Sequence, residues 1–458
     1  MALRPLVAGV SVIETSTVKT QRLFHPAWAV AAVAFVALVG AAGFRATPSV
    51  LLHPLHEEFG WPLATISAAV SVNLILYGLT APFAAALMER FGIRRVVVAA
   101  LLLVATGSGL TVFMTASWQL IACWGVLVGL GTGSMALAFV ATVTGRWFVK
   151  RRGLVTGVLT AGGAAGQLVF LPVLANLVQS YDWKVAALVV AGAALLVVPL
   201  VVFFLREHPA DLGLPLYGGT EVVRPKPLPG GAAGAAARAL TGLRTAARTR
   251  AFWLLAGGFA ICGATTNGLV GTHFIPAAHD HGVAETTAAS LLALVGLFDI
   301  VGTIASGWLT DRVDSRLLLA GYYALRGLSL LVLPSLFVNT TGPTMLVFIV
   351  FYGLDWVATV PPTVALCREH FGDRGPVVFG WVFASHQVGA AIAATGAGLV
   401  RDRLGEYTVA WYAAGVLALG AAALSLMLRR REPEPVPVVE PEPVTTAPRA
   451  WRLRPTDV

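Results

Sequence analysis

Three proton-exchanging side chains and one guanidinium stand where ionisable groups are rare. Asp299, Asp355 and His386 lie deep in apolar runs, and Arg45 lies in Gly43-Phe44-Arg45-Ala46-Thr47 toward the end of another. A charge inside a membrane-spanning helix costs about 2.5–3.5 kcal/mol on insertion scales, so the charges that are kept face a cavity or a partner. A carboxyl or imidazole in such a place is suited to taking up and releasing protons, and a guanidinium to holding an anion. At the rise of an α-helix, Asp299, Asp355 and His386 fall near mid-membrane and Arg45 in the outer third. Each has a plainer rival: Asp355, beside Trp356, as a structural hydrogen-bonding acid, and His386 as a satisfied interior histidine.

A cavity-facing helix surface collects small and polar residues at helical spacing. Gly296, Asp299, Thr303 and Ser306 do so around Asp299; Asn73, Tyr77 and Thr80 form a second such face, and Thr156, Thr160, Gly163 and Gln167 a third. Asp355, Thr359 and Pro362 form a fourth. Thr265, Thr266, Asn267 and His273, together with the Pro361-Pro362 pair, suit helices interrupted beside a binding site. The substrate-binding candidates are therefore Arg45, Asn73, Tyr77, Gln167, Asn267 and Thr303, and the proton-coupling candidates Asp299, Asp355 and His386. Gly125, Gly129 and Gly133 read as a stripe for close helix packing. Cys123, Cys262 and Cys367 have no partner at metal-ligand spacing and read as core thiols. No nucleophile motif and no phosphate loop is present, so neither an enzyme, nor ATP-driven transport, nor a cofactor or metal is expected.

The elements that must position these residues are membrane helices. Of 458 residues 57% are hydrophobic and only 12% charged, about half the charged share of a soluble domain. The apolar residues fall in runs long enough to cross a bilayer. Twelve helices are predicted, at roughly 27–52, 62–88, 93–115, 118–142, 152–178, 184–206, 251–277, 285–309, 316–336, 343–366, 377–399 and 405–429. With both termini cytoplasmic, all but five of the 32 Lys and Arg residues fall on the cytoplasmic side, the exceptions being Arg45, Arg326, Lys184, Arg401 and Arg403. The basic clusters thus report topology, and nucleic acid is not an expected partner. The expected organisation is a cytoplasmic segment 1–26, a six-helix bundle 27–206, a cytoplasmic linker 207–250, a second bundle 251–429 and a disordered cytoplasmic tail 430–458. The linker, with Pro209, Pro215, Pro225, Pro227 and Pro229, is expected to start extended and to continue as an Ala/Arg-rich surface helix.

The halves echo each other at one offset. Glu89, Arg90 and Arg94 recur 222 residues later as Asp311, Arg312 and Arg316, and Arg152-Gly153 recurs as Arg374-Gly375 at the same spacing. Two loops sharing one offset indicate duplicated six-helix units, with the ligand site between them near the midplane. The loop signature Gly-x-x-x-Asp-Arg-x-Gly resembles the major facilitator superfamily, with Ala85 and Glu89 in place of Gly and Asp in the first copy and Asp314 in place of the later Gly in the second. That resemblance implies an all-α integral membrane fold of twelve helices in two pseudo-symmetric six-helix bundles. It also implies that Glu89, Arg90, Asp311 and Arg312 act as a conformational latch, an acid sitting by a helix N-terminus across the interface.

Glu58-Phe59-Gly60-Trp61, Arg146-Trp147-Phe148 with Arg151-Arg152-Gly153-Leu154, and Asp402, Gly405 and Tyr407 are similar to the bacterial monocarboxylate and oxalate:formate branch. The segment Thr160 to Gln167 lacks the Gly-Pro pair of the drug-efflux branch. The branch implies that Asp299 is a proton-coupling acid. It also implies an Arg four residues later, where this chain has Thr303, and a Lys one residue from Arg45, which stands as the replacement cation. The expected function is alternating-access transport of a small organic solute, a monocarboxylate-type anion with protons as candidate co-substrate, by a monomer in the inner (plasma) membrane with no partner beyond lipid. The alternatives are an exporter or exchanger of a neutral metabolite or amphiphile and, more remotely, a non-transporting receptor.

Overall fold

The computed structural model describes residues 25–61, 63–222, 231–337 and 342–429. The expected tail 430–458 and nearly all of the segment 1–26 lie outside them. The helices are α1 (Pro26–Phe59), α2 (Leu63–Phe91), α3 (Ile93–Thr111), α4 (Ser117–Trp147), α5 (Arg152–Ser180), α6 (Trp183–Phe204), α7 (Ala232–Ala246), α8 (Arg250–Asp280), α9 (Glu285–Thr310), α10 (Ser315–Leu336), α11 (Pro343–Asp355 and Val360–Phe371), α12 (Gly375–Leu404) and α13 (Thr408–Leu426). Among the described residues eleven runs are long and apolar enough to cross a membrane. One of them, Pro343–Arg401, holds both α11 and α12, folded back at Gly372–Arg374, so the membrane helices number twelve. Helices are the form an open chain can take in lipid, because each satisfies its own backbone polar groups.

The twelve predicted spans are all found, with three differences of internal geometry. First, α1 runs past residue 52 to Phe59, where Gly60 at φ +65° ends it by donating its N–H to His56 O; its stretch Pro26–Phe44 is long and apolar enough to cross a membrane. Second, α4 widens into a π-helix over Ile121–Val128 and breaks at Met135–Ala136, and α8 widens over Ala264–Val270. Third, α11 is interrupted between Asp355 and Val360, where Pro361 and Pro362 each lack the N–H that a continuous helix needs.

Packing follows the repeat. In the first half α1 packs on α5 and α6, α2 on α4 and α3 on α6; in the second, α8 packs on α12, α9 on α11 and α10 on α13. Across the halves α5 lies on α9 and α2 on α12. Small residues let these pairs approach: a Cβ on Gly157 would meet Thr303 O, and one on Gly380 would meet the Pro82 backbone. The stripe Gly125, Gly129 and Gly133 packs against α2 at Ala69–Val72, Asn73 and Leu76–Thr80. Loops rich in Arg and Lys gather on one face, called here the basic face. An even number of crossings returns the described chain to it.

The start of the linker is not extended. Glu207 accepts the N–H groups of Ile93 and Arg94 at the start of α3 (2.5 and 3.1 Å), and Tyr217 donates its N–H to Trp147 O at 2.8 Å. Tyr217 lies edge-on to His25 and Trp28; its apolar body outweighs the extending tendency of Pro209 and Pro215. Pro225, Pro227 and Pro229 lie outside the described residues. The expected surface helix is α7, which buries Ala235, Ala239, Gly242 and Ala246 against α2 and α12.

Candidate functional site

A cavity of about 580 Å³ lies between the halves, walled by α2, α4 and α5 on one side and α8, α9, α11 and α12 on the other. Its lining runs from Leu137 and Phe383, toward the basic face, to Pro172 and Ile275, toward the opposite face. A second cavity, about 960 Å³, lies at the basic face between α4, α5, α7, α11 and α12. The two meet at α11, where Thr359 and Val360 line the first and Pro361 and Val364 the second.

Asp299 lines the first cavity and is only 3% exposed. Its Oδ1 accepts the hydroxyl of Thr303 one turn on (2.8 Å) and the backbone N–H of Val357 in the α11 interruption (3.0 Å). The interruption thus frees an N–H from the helix ladder, and Asp299 takes it up. Thr303, a substrate-binding candidate, does not line the cavity; fully buried, it serves Asp299.

Asp355 stands behind the cavity wall in a buried ion pair. Its Oδ2 accepts from Arg326 Nε at 2.6 Å, and Arg326 Nη2 donates to the carbonyls of Asp355 (2.6 Å) and Trp356 (3.1 Å). Arg326 Nη1 donates to Cys262 Sγ at 3.0 Å, and that sulfur lies 3.2 Å from Thr359 Oγ1. Further hydrogen bonds offset the cost of burying such a pair: three surround the guanidinium, whereas Asp355 Oδ1 has no partner among the described residues. The proton-coupling candidate Asp355 is therefore an ion-pair partner that anchors the interruption.

His386 lines the cavity between the rings of Phe259 and Phe383, with centroids 5.0 and 6.0 Å away. Tyr77, Gln167 and Asn267 line it as expected, and so does Thr160, whose buried hydroxyl has no partner among the described residues. Asn73 does not. It is buried against α4, donating Nδ2–H to Trp124 O at 2.9 Å, because the π-turn in α4 leaves carbonyls that need a donor. Arg45 lies on α1, and its side chain is outside the described residues.

Of the latch candidates, Asp311 makes a direct bond between halves. Its two oxygens accept the N–H groups of Gly153 (2.7 Å) and Leu154 (3.0 Å) at the N-terminus of α5, where the helix dipole favours an anion. Glu89 sits among Arg146, Arg238, Asp373 and Arg374. Arg90 lies over Phe91, and Arg312 donates to Trp308 O while stacking on that ring at 4.0 Å, contacts made within each residue's own half.

Sequence reasoning passed over Arg326, noting it only as an exception to the charge bias, and over Cys262 and Trp356 as members of one cluster. A signal was present. A mid-membrane Asp requires a counter-charge, and Arg326 is the cation embedded nearest to Asp355 in the apolar runs of the same half.

Twelve membrane helices in two repeats around a central cavity that holds a buried carboxylate define a membrane transporter. The Major Facilitator Superfamily model matches residues 33–375 and 260–455, and the chain belongs to that family. It is a transporter and not an enzyme. It is 25% identical over 399 residues to an uncharacterized MFS-type transporter, YcxA, of Bacillus subtilis (strain 168), covering 83% of this chain and 90% of that one. It is 29% identical over 371 residues to monocarboxylate transporter 13 of Rattus norvegicus, 79% of each chain. Among solved structures it resembles the human organic anion transporter MFSD10 (TM-score 0.66, 16% identity, 88% of this chain and 100% of that one) and the E. coli fucose:proton symporter FucP (0.64, 15%, 87% and 98%).

Proposed function

We propose that the protein is a secondary transporter that moves a small monocarboxylate-type anion together with protons. Halves 27–206 and 251–429 would exchange access to the cavity, with both termini cytoplasmic. The observation that carries this reading is Asp299, a carboxylate on the cavity wall that accepts one hydrogen bond from Thr303 on its own helix and one from the Val357 N–H of a broken helix. A group so placed links its protonation to the shape of the site. The relatives named monocarboxylate transporters support the substrate class, Arg45 is the candidate anion anchor, and the basic loops support the orientation.

Purified protein in vesicles, assayed over a panel of monocarboxylates and neutral solutes under an inward proton gradient, tests it. Asp299→Asn abolishes accumulation against a gradient and leaves substrate exchange, since the amide mimics the protonated acid. Accumulation that persists in Asp299→Asn excludes Asp299 as the coupling group. A neutral solute is the second reading, favoured by one observation: among the described residues lining the cavity there is no Lys or Arg. Uptake confined to neutral solutes selects it.

A further inference from the structure

The peptide unit joining Trp356 to Val357 has both of its polar atoms engaged. Its carbonyl accepts from Arg326 Nη2 at 3.1 Å, and its N–H donates to Asp299 Oδ1 at 3.0 Å. Arg326 and Asp299 do not bond each other, yet one peptide, in the one stretch of α11 that is not helical, connects them. Arg326 holds the preceding residue too, through the Asp355 carboxylate and carbonyl, both at 2.6 Å. The guanidinium thus fixes where the Val357 N–H points.

We propose that Arg326 is a positioning residue for proton coupling, acting on Asp299 through the Trp356–Val357 peptide and tying the protonation of Asp299 to the α11 interruption. This rests on the reading that Asp299 loads the proton. A hydrogen bond to a carboxylate is about twice as strong as one to a neutral acid. When Asp299 binds a proton, its hold on Val357 weakens, and the wall formed by Trp356, Val357, Thr359 and Val360 is released from α9. When the wall moves first, the carboxylate loses a donor and takes up a proton more readily. Proton and wall are two ends of one equilibrium, as linkage requires.

The other titratable or charged groups around this site are Tyr77 from α2, Cys262 from α8, Tyr322 and Tyr323 from α10, Tyr352 and Asp355 from α11 and His386 from α12; α5 presents only neutral side chains. None of them bonds the Val357 peptide among the described residues. The guanidinium fork matters as well as the charge, because an ammonium cannot hold Asp355 Oδ2 and two successive carbonyls from one plane.

The test is the pH dependence of uptake in vesicles. Arg326→Lys keeps the charge and loses the fork; half-maximal uptake moves to higher pH by about one unit, a tenfold change in proton affinity. In an Asp299→Asn background the same substitution leaves the pH profile of exchange unchanged. Arg326→Gln with Asp355→Asn removes both ions together, leaving neither buried and unpaired, and shows the same shift if the lysine variant fails to fold. Thr303→Val removes the other donor to the same Asp299 oxygen and reports whether Asp299 is the titrating group. A shift in Thr303→Val with none in the Arg326 variants overturns the peptide link while leaving Asp299 in its role. A uniformly lower rate at an unchanged midpoint makes Arg326 structural only. No shift in any variant, with accumulation intact in Asp299→Asn, removes the reading of Asp299 and this inference with it.

Discussion

The two halves break a helix at the same place and hold the break by different means. Residue 135, where α4 interrupts, and residue 357, in the α11 interruption, are 222 apart, the offset of the repeat. In the first half the break is secured by close packing: Gly131 abuts Val104 and the Ala100 carbonyl, and Gly133 abuts Leu76 O and the Tyr77 backbone. In the second half the positions matching Val104 and Gly133 are Arg326 and Asp355, and the position matching Tyr77 is Asp299. A duplicated backbone device thus carries apolar contact on one side and a charge network on the other. Contact cannot titrate, whereas a charge network can, so on the proposed reading the proton-coupling part of the site belongs to the second half.

Removing one ion should break the comparison most. Asp355→Ala leaves Arg326 buried and unpaired and destabilises by about 3–5 kcal/mol, read as a large drop in melting temperature in detergent, whereas Val104→Ala costs about 2 kcal/mol. Equal losses would mean that the ion pair is no more critical than the packing it replaces. Gly133→Val tests the packed side: its Cβ would meet Leu76 O and Tyr77 Cα at 3.0 Å, so α2 must shift, at about 1–3 kcal/mol. The expected outcome is lower stability with an unchanged pH profile of uptake.

The loops at the basic face offer a weaker contrast. Asp311 bonds two N–H groups of α5, and Asp311→Asn lowers stability by about 1–2 kcal/mol; Glu89→Gln, which removes no such bond, lowers it less in the same melting assay. The smallest effect belongs to the opposite face, where Glu58 and Asp280 hold matching positions 222 apart. Glu58 accepts from Lys184 at 2.8 Å and from Trp183 Nε1, and Asp280 accepts from Arg401 at 2.6 Å. The bond from Lys184 and then that from Trp183 hold the Glu58 carboxyl below its ordinary range. Its contribution is therefore present above the carboxylate range of the unfolded chain and lost as pH falls through the lowered folded value. This exposed pair adds little. Glu58→Gln should flatten the acid limb of a melting-temperature profile slightly, and an unaltered limb would show that the pair contributes nothing.

Periodicity and charge bias made the twelve spans, the repeat and the cavity-facing Asp299 legible, because lipid imposes one backbone form and excludes charges. The interior partners were not legible. Asn73 matched a polar face by spacing, but a π-turn in α4 rotated an acceptor toward it, and π-turns leave no mark in hydropathy. Arg326 lies 29 residues from Asp355 on another helix, a pairing that helical spacing does not encode. Tyr217 turned a proline-rich stretch into a packed one through contacts with His25 and Trp28, residues nearly two hundred positions away.

Helix α7 has a mechanical consequence. It bears on α2 of one half and α12 of the other, with Trp381 Nε1 donating to Ala239 O at 2.9 Å, and its C-terminus lies only a few residues before α8 begins. It is a crossbar seated over the seam and fastened to the second half by a short strap. Any stroke that parts α2 from α12 at the basic face must slide the bar or unseat it, so the linker sets how far the doors can swing.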